Sequence, residues 1–174
     1  LLCDGESGGP DTIYSEDFEN VNSISQLSGW ENIQVEGTQD YVIGSFDNNN
    51  YAQISGFQSG ETFTSWLVTE EIDLTTTSLE ELSLDIQSNF DNGTILEIYI
   101  TDNYSGDVTT TEWDLLDLSI PVGDDGFGSF EPVGPVNISC AGENIRIGFK
   151  YEGEDPGPTT RYHIDNITIE GQQN

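Results

Sequence analysis

The chain has 174 residues, enough for one domain that buries roughly 70% of the surface its unfolded form would expose. Its 33 Asp and Glu stand against three cations, Arg146, Lys150 and Arg161, for a formal charge of −30. Phosphate backbones and anionic bilayers are held by Lys and Arg, so nucleic acid is excluded as a partner and an acidic lipid surface is disfavoured. No run approaches the ~18 apolar residues of a membrane helix. Self-repulsion on this scale is tolerated where salt or bound cations screen it, which points to a saline medium, a divalent metal, or both.

Residues 1–12 are rich in Gly, Ser, Asp and Pro and read as a linker or tail from a longer precursor. Residues 13–171 form the expected folded domain, and 172–174 a short tail. Cys3 has three open readings. It lies near the cut end of a longer chain, or it is a lipidated N-terminal cysteine, against which the bulky Leu2 argues, or it pairs with Cys140 in an oxidising compartment.

From Ile13 onward, short apolar runs alternate with turn clusters about every ten residues, the pattern of an all-β chain. The predicted strands are Ile13–Phe18, Ile33–Val35, Tyr51–Ser55, Ser65–Thr69, Leu79–Ser88, Ile95–Thr101, Trp113–Ile120, Val133–Ile138, Ile145–Tyr151 and Tyr162–Ile169. Turns fall at 47–50, 89–93, 123–128 and 153–158, where Asn, Asp and Gly gather. Leu82, Leu84 and Ile86 share one face, as do Leu96, Ile98 and Ile100, and Ile145, Ile147, Phe149 and Tyr151. Such period-two alternation predicts strands with one buried face, as in two packed antiparallel sheets. Ser23–Leu27 and Ser78–Glu81 are read as a helical turn at most. The expected core includes Phe18, Trp30, Trp66, Leu67, Leu84, Ile98, Ile147, Phe149 and Ile167, with Trp113 also read as packing.

Four segments carry a family resemblance. They are Tyr14-Ser15-Glu16-Asp17-Phe18-Glu19 followed by Gly29-Trp30; Asn50 to Phe57 running on to Trp66-Leu67-Val68-Thr69 and Ile72-Asp73-Leu74; Leu96 to Asp107 with Trp113; and Ile147 to Tyr151 closed by Tyr162-His163-Ile164-Asp165-Asn166-Ile167. In this order they resemble the choice-of-anchor J domains of secreted Bacteroidetes proteins, jelly rolls similar to MAM and cleaved-adhesin domains. Glu70 stands where that family usually has proline. The resemblance implies a jelly-roll β-sandwich, export to the extracellular space or bacterial cell surface, and attachment to larger enzymes or adhesins. It implies no fixed activity.

The resemblance also implies a structural Ca²⁺ where the first and last strands meet. Calcium takes six to eight hard oxygen ligands, and the candidates are Glu16, Asp17, Glu19 and Asp165, with Asp47 as a further source. In a straight strand Asp165 would share the inward face of Ile167 and Ile169, where a carboxylate must be paired or metal-bound; a bulge at Asp165-Asn166 would re-aim it. One histidine and two distant cysteines cannot make a zinc site.

Catalysis has little support. His163 is the sole histidine and reads as a structural strand residue. Glu71-Ile72-Asp73 resembles the start of a laminarinase-type acid signature, but Thr76 replaces its third acid. Aromatics in or beside loops, Tyr41, Phe46, Phe57 and Tyr104, are the candidates for stacking on a sugar. The expectation is a non-catalytic binding or accessory module, monomeric in isolation, for polysaccharide or a cell-surface glycan. The alternatives are a glycan-active hydrolase using a carboxylate pair, or a structural spacer. The sequons at Asn92, Asn103, Asn137 and Asn166 carry no weight if the source is bacterial, as the resemblance implies.

Overall fold

A computed structural model describes residues 1–174. Twelve strands follow one another: β1 (Asp11–Glu16), β2 (Glu31–Glu36), β3 (Val42–Phe46), β4 (Asn49–Ile54), β5 (Thr62–Val68), β6 (Ile72–Asp73), β7 (Thr77–Asn89), β8 (Leu96–Thr101), β9 (Asp114–Leu115), β10 (Glu131–Asn137), β11 (Asn144–Glu154) and β12 (Arg161–Gln173). A single 3₁₀ turn covers Ile24–Gln26, within the stretch read as a helical turn.

The strands form two antiparallel sheets that close into a jelly-roll sandwich. The first has the order β10-β7-β12-β4-β3, with β1 set against the second half of β12; the second has the order β2-β5-β11-β8-β9, with β6 on the end of β11. The period-two pattern decides which side faces in. Leu82, Leu84 and Ile86 of β7 meet Leu96, Ile98 and Ile100 of β8 and the row Ile145, Ile147, Phe149, Tyr151 of β11 in one core of 28 buried residues. Buried tyrosine hydroxyls tie the sheets together. Tyr151 Oη accepts from Gly56 N–H and donates to Thr160 O, both at 2.8 Å, and Tyr162 Oη accepts from Ile95 N–H at 3.1 Å.

Several elements differ from the sequence reading. Strand β3 is new: Val42 to Phe46 turns back through Asp47 and Asn48, both with positive φ (52° and 61°), in the two-residue hairpin that suits Asp and Asn. Trp113–Ile120 yields only the two residues of β9. Ser78–Glu81 is extended within β7 rather than a helical turn. Trp30 is only partly buried, at the core margin, with its ring edge-on to Phe18 at 5.8 Å. Trp66 is buried on the outer side of the second sheet, stacked on Trp113 at 5.0 Å in a small separate cluster with Val68 and Val108. Gly148 makes room there, since a Cβ would come within 2.8 Å of the Trp66 indole.

Cys3 and Cys140 are joined in a disulfide. The segment before β1 is thereby fastened to the sandwich, and Gly8 N–H adds a hydrogen bond to Leu79 O at 2.7 Å. β1 starts at Asp11 and β12 runs to Gln173, so pairing begins and ends within the stretches read as tails.

Candidate functional site

The outer face of the first sheet carries the most distinctive arrangement in the molecule. Along β12, Arg161, His163 and Asp165 alternate with the core residues Tyr162 and Ile164. A bulge then follows: the register shifts between Asp165 and Thr168, and Asn166 takes a φ of 50°. This extra residue turns Ile167 and Ile169 inward while leaving Asp165 on the outer face, which settles the two geometries weighed for Asp165 in favour of the bulge. Gln87 of β7 lies opposite His163 on one side and Gln53 of β4 on the other.

These residues are knit by directional hydrogen bonds. Arg161 Nε–H donates to His163 Nε2 at 2.8 Å, so the imidazole carries its proton on Nδ1 and donates to Gln87 Oε1 at 2.7 Å. Gln87 Nε2 in turn donates to Gly128 O at 2.7 Å, and Arg161 Nη2 donates to Gln53 Oε1 at 2.9 Å. The relay from Arg161 Nε–H through His163 to Gln87 closes only if the histidine is neutral. Burial, helped by the Arg161 charge, lowers its pKa from 6.5 to about 3. Tyr51 stacks on the imidazole at 4.0 Å between centroids. The Tyr51 ring reaches this position because it crosses β3 at Gly44, where any Cβ would collide with it.

A groove lies over this floor. Phe46 and Asp47 from the β3–β4 hairpin line one end, and Phe127 to Phe130 of the loop before β10 form a wall, with Tyr51, Gln87, Arg161 and His163 beneath. Gly128 N–H donates to Asn89 Oδ1 at 3.0 Å and Phe90 N–H to Gly126 O at 2.8 Å, which holds the loop against the end of β7. A second, smaller depression adjoins the first and shares Arg161; Phe57, Phe90 and Thr159 line it. Phe127 stands between the two, edge-on to Phe90 at 4.8 Å and with the Arg161 guanidinium 5.4 Å from its centroid. The four phenylalanines most exposed to solvent, Phe46 (78%), Phe57 (70%), Phe127 (66%) and Phe90 (45%), all lie on these two depressions.

Of the aromatics singled out in the sequence, Phe46 and Phe57 fall on this surface. Tyr104 lies on the opposite sheet, packed against Trp113 at 5.9 Å with Arg146 5.1 Å from its ring centroid. Tyr41 is a correction: it is 1% exposed and its hydroxyl donates to Phe149 O at 3.0 Å, so its ring fills the core and is closed to a ligand. Its place in or beside a loop suggested exposure, but Asn32 bonds both its N–H and its carbonyl and draws the side chain inward. Sequence reading missed Phe90, Phe127, Phe130, Arg161 and Gln87. The available signal was Phe127, a lone aromatic between glycines in an acidic loop.

The acids read as metal ligands are distributed as follows. Asp165 is 2% exposed; its Oδ1 accepts from Asn166 N–H at 2.8 Å and its Oδ2 from Asn49 Nδ2 at 2.9 Å. Burial, with Glu19 and Asp85 nearby, raises its pKa from 3.8 to about 6. Glu19 accepts from the adjacent Asn50 N–H at 2.7 Å. Asp17 accepts from Glu19 N–H at 3.1 Å and Glu16 from Phe18 N–H at 2.6 Å, where Phe18 has a φ of 60°; both acids cap the turn leaving β1. Asp47 lies on the groove. No three His, Cys, Asp or Glu side chains group closely enough to hold a metal by themselves. Asp165 and Glu19 are near enough to interact electrostatically, and no third acid joins them in a cluster. In the Glu71-Ile72-Asp73 segment, Asp73 is bonded to Thr75 through both its N–H and hydroxyl.

No family model and no curated protein matches the chain. Among solved structures, it is similar to the K1 cleaved adhesin domain of Lys-gingipain from Porphyromonas gingivalis, at 17% identity and a TM-score of 0.62, over 91% of this chain and 98% of that one. It is similar to a xylan-binding domain from Paenibacillus barcinonensis at 12% identity and a TM-score of 0.51, over 98% and 99%. A carbohydrate-binding module solved with β-1,4-galactotriose aligns at 11% identity and a TM-score of 0.50, over 90% and 99%. At these identities what the chain shares with adhesin and carbohydrate-binding domains is their β-sandwich fold.

Proposed function

We propose that this is a non-catalytic extracellular module that binds a polysaccharide or cell-surface glycan along the groove on the outer face of the first sheet. The observation that carries the reading is the gathering of the four exposed phenylalanines on two adjoining depressions that share Arg161. Rings stack on the apolar faces of sugars, while Arg161, Asn49, Ser45 and Ser129 offer hydrogen bonds to hydroxyls. The disulfide suits an oxidising, extracellular setting. Adhesin and carbohydrate-binding neighbours of the same fold support this class of function. The hydrolase alternative needs two acids open to the ligand, and Asp47 is the one acid lining either depression. Asp165 cannot serve as the second, since it is buried and lines neither depression.

A structural Ca²⁺ held by Asp165 and Glu19 belongs to the same proposal. It would lie beside the groove, at the junction of β1, β4 and β12, and would compensate a buried carboxylate that has no cationic partner in the chain.

The test is a glycan array probed with the wild-type domain and with Phe127→Ala and Phe46→Ala. Wild type is expected to bind a defined subset of glycans, and each variant to lose roughly 5- to 150-fold, the equivalent of ~1–3 kcal/mol for a buried aromatic contact. Binding unchanged in both variants would move the site elsewhere, and no binding to any glycan would leave the module without this function.

A further inference from the structure

We infer that Arg161 is an anchor for a carboxylate, so that the groove selects a uronic-acid unit carried on an otherwise neutral glycan. The inference rests on the glycan-binding reading above and names the chemistry of its ligand.

The three cations of the chain are used differently. Lys150 pairs with Glu152 at 3.6 Å. Arg146 donates to the carbonyls of Gly29 and Thr69 at 3.1 and 2.7 Å, tying two loops. Arg161 has no acidic partner although the chain holds 33 acids, and both of its partners, His163 and Gln53, are neutral. Two of the five guanidinium N–H groups are thereby used, and three remain, including both on Nη1. The group is also locked. His163 fixes its Nε edge, Gln53 fixes one Nη, Phe127 covers it, and the relay through Gln87 to Gly128 O fixes the histidine itself. A planar fork held still, half-buried beside an aromatic ring and with unspent donors, is the geometry that recognises carboxylates.

Its position adds a second argument. Arg161 is shared by both depressions, so a sugar chain crossing from Phe46 past Phe127 to Phe57 would pass over it. The net charge of the domain limits what that chain can be. Screening at physiological salt confines repulsion to roughly 8 Å, so one carboxylate in contact with Arg161 is tolerated. A polymer charged at every unit would set further carboxylates against the acidic surface, beginning with Asp47 at the groove end. Isolated uronates on a neutral backbone meet both conditions.

The experiment uses an array of oligosaccharides from glucuronoxylan, arabinogalactan and xanthan, each printed intact and after carboxyl reduction, with polygalacturonate as a fully charged arm. Wild type is expected to bind an intact member roughly 10- to 100-fold more tightly than its reduced form, the range of a charge-assisted hydrogen-bond pair, and to bind polygalacturonate weakly. Arg161→Gln, checked for an unchanged far-UV spectrum, should bind intact and reduced forms alike, at the level of wild type on the reduced form. Equal wild-type binding of intact and reduced forms would overturn the inference while leaving glycan binding in place. So would an intact-form preference that survives in Arg161→Gln. Tightest binding to polygalacturonate would overturn the isolated-uronate requirement. A failure to bind any printed glycan, in wild type and variant alike, would remove both this inference and the glycan-binding function.

Discussion

Replacing Tyr151 by Phe removes one oxygen atom and two inter-sheet ties. The hydroxyl accepts from Gly56 N–H, just beyond β4, and donates to Thr160 O, just before β12, at 2.8 Å each. Tyr151 itself sits on β11 in the second sheet, fully buried. Phenylalanine would keep the ring stacked on Phe63 at 5.1 Å and edge-on to Tyr162 at 6.1 Å, so little apolar contact is lost. What changes is that a backbone donor and a backbone acceptor are left without their partner in a dry place. Each orphaned group costs about 1–3 kcal/mol, which puts the variant about 2–6 kcal/mol below wild type. With an unfolding entropy of about 2.1 cal/mol/K per residue, 3 kcal/mol corresponds to about 8 °C in Tm. Urea unfolding should show a lowered midpoint at an unchanged slope, and amide exchange should show lost protection at Gly56. Tyr41→Phe gives up one such bond, to Phe149 O, and should cost about half as much. A Tyr151→Phe midpoint within about 0.5 kcal/mol of wild type, with Gly56 still protected, would refute the role given to the hydroxyl.

Three further outcomes are expected. The single histidine makes its NMR titration unambiguous: His163 should stay neutral down to about pH 3. Because its folded pKa is depressed, its contribution to stability is complete above pH 6.5 and falls as the pH drops towards 3, with about 2 kcal/mol gone by pH 5; a midpoint near 6.5 would contradict the burial and the relay. Millimolar CaCl₂ should raise Tm more than NaCl of matched ionic strength, by as much as about 2.7 kcal/mol of stability at a hundredfold excess over Kd. Asp165→Asn should abolish that difference, and equal effects of the two salts would dismiss the ion. Gly44→Ala should displace the Tyr51 ring from His163 and weaken glycan binding roughly 2- to 13-fold with the fold intact, from the ~0.5–1.5 kcal/mol of one stacked ring; unchanged affinity would show that the groove does not need Tyr51 where it lies.

Much of the architecture is legible because period-two alternation is a local signal. Leu82-Leu84-Ile86 and Ile145 to Tyr151 announce strand and buried face together, and Asn and Asp clusters mark the turns. β3 escaped because Val42-Ile43-Gly44-Ser45-Phe46 is short, broken by a glycine and exposed at both ends. Trp113–Ile120 looked like a strand because Leu116, Leu118 and Ile120 alternate, and they do pack on the core, but from an irregular segment of which only Asp114–Leu115 is strand. The groove was hidden for a different reason. Its floor and walls come from β4, β7, β12 and the 121–130 loop, which only the sheet order β7-β12-β4 brings together. Arg161 and His163 carry no motif at their spacing; their meaning lies in Gln53 and Gln87, more than 70 residues away in sequence. Asp165 was legible as a problem, a carboxylate in a strand of apolar residues, and the bulge at Asn166 is the answer the chain supplies.

The Cys3–Cys140 link governs how the domain responds to a pull on its two ends. Tension entering at Leu1 crosses the covalent bridge at once and reappears at Cys140, so that everything from Asp4 to Ser139 is taken off the load path. Only the segment from Ala141 onward, with β11 and β12, can be drawn out. At no more than about 3.6 Å per residue, the extension is limited to roughly 120 Å instead of roughly 600 Å for the whole chain. The hairpin at Asp47-Asn48 and the loop carrying Phe127 lie within the shielded stretch. Arg161 and His163 do not. Under a rising force the aromatic walls of the groove would remain covalently bypassed while its charged floor is the part that bears the strain.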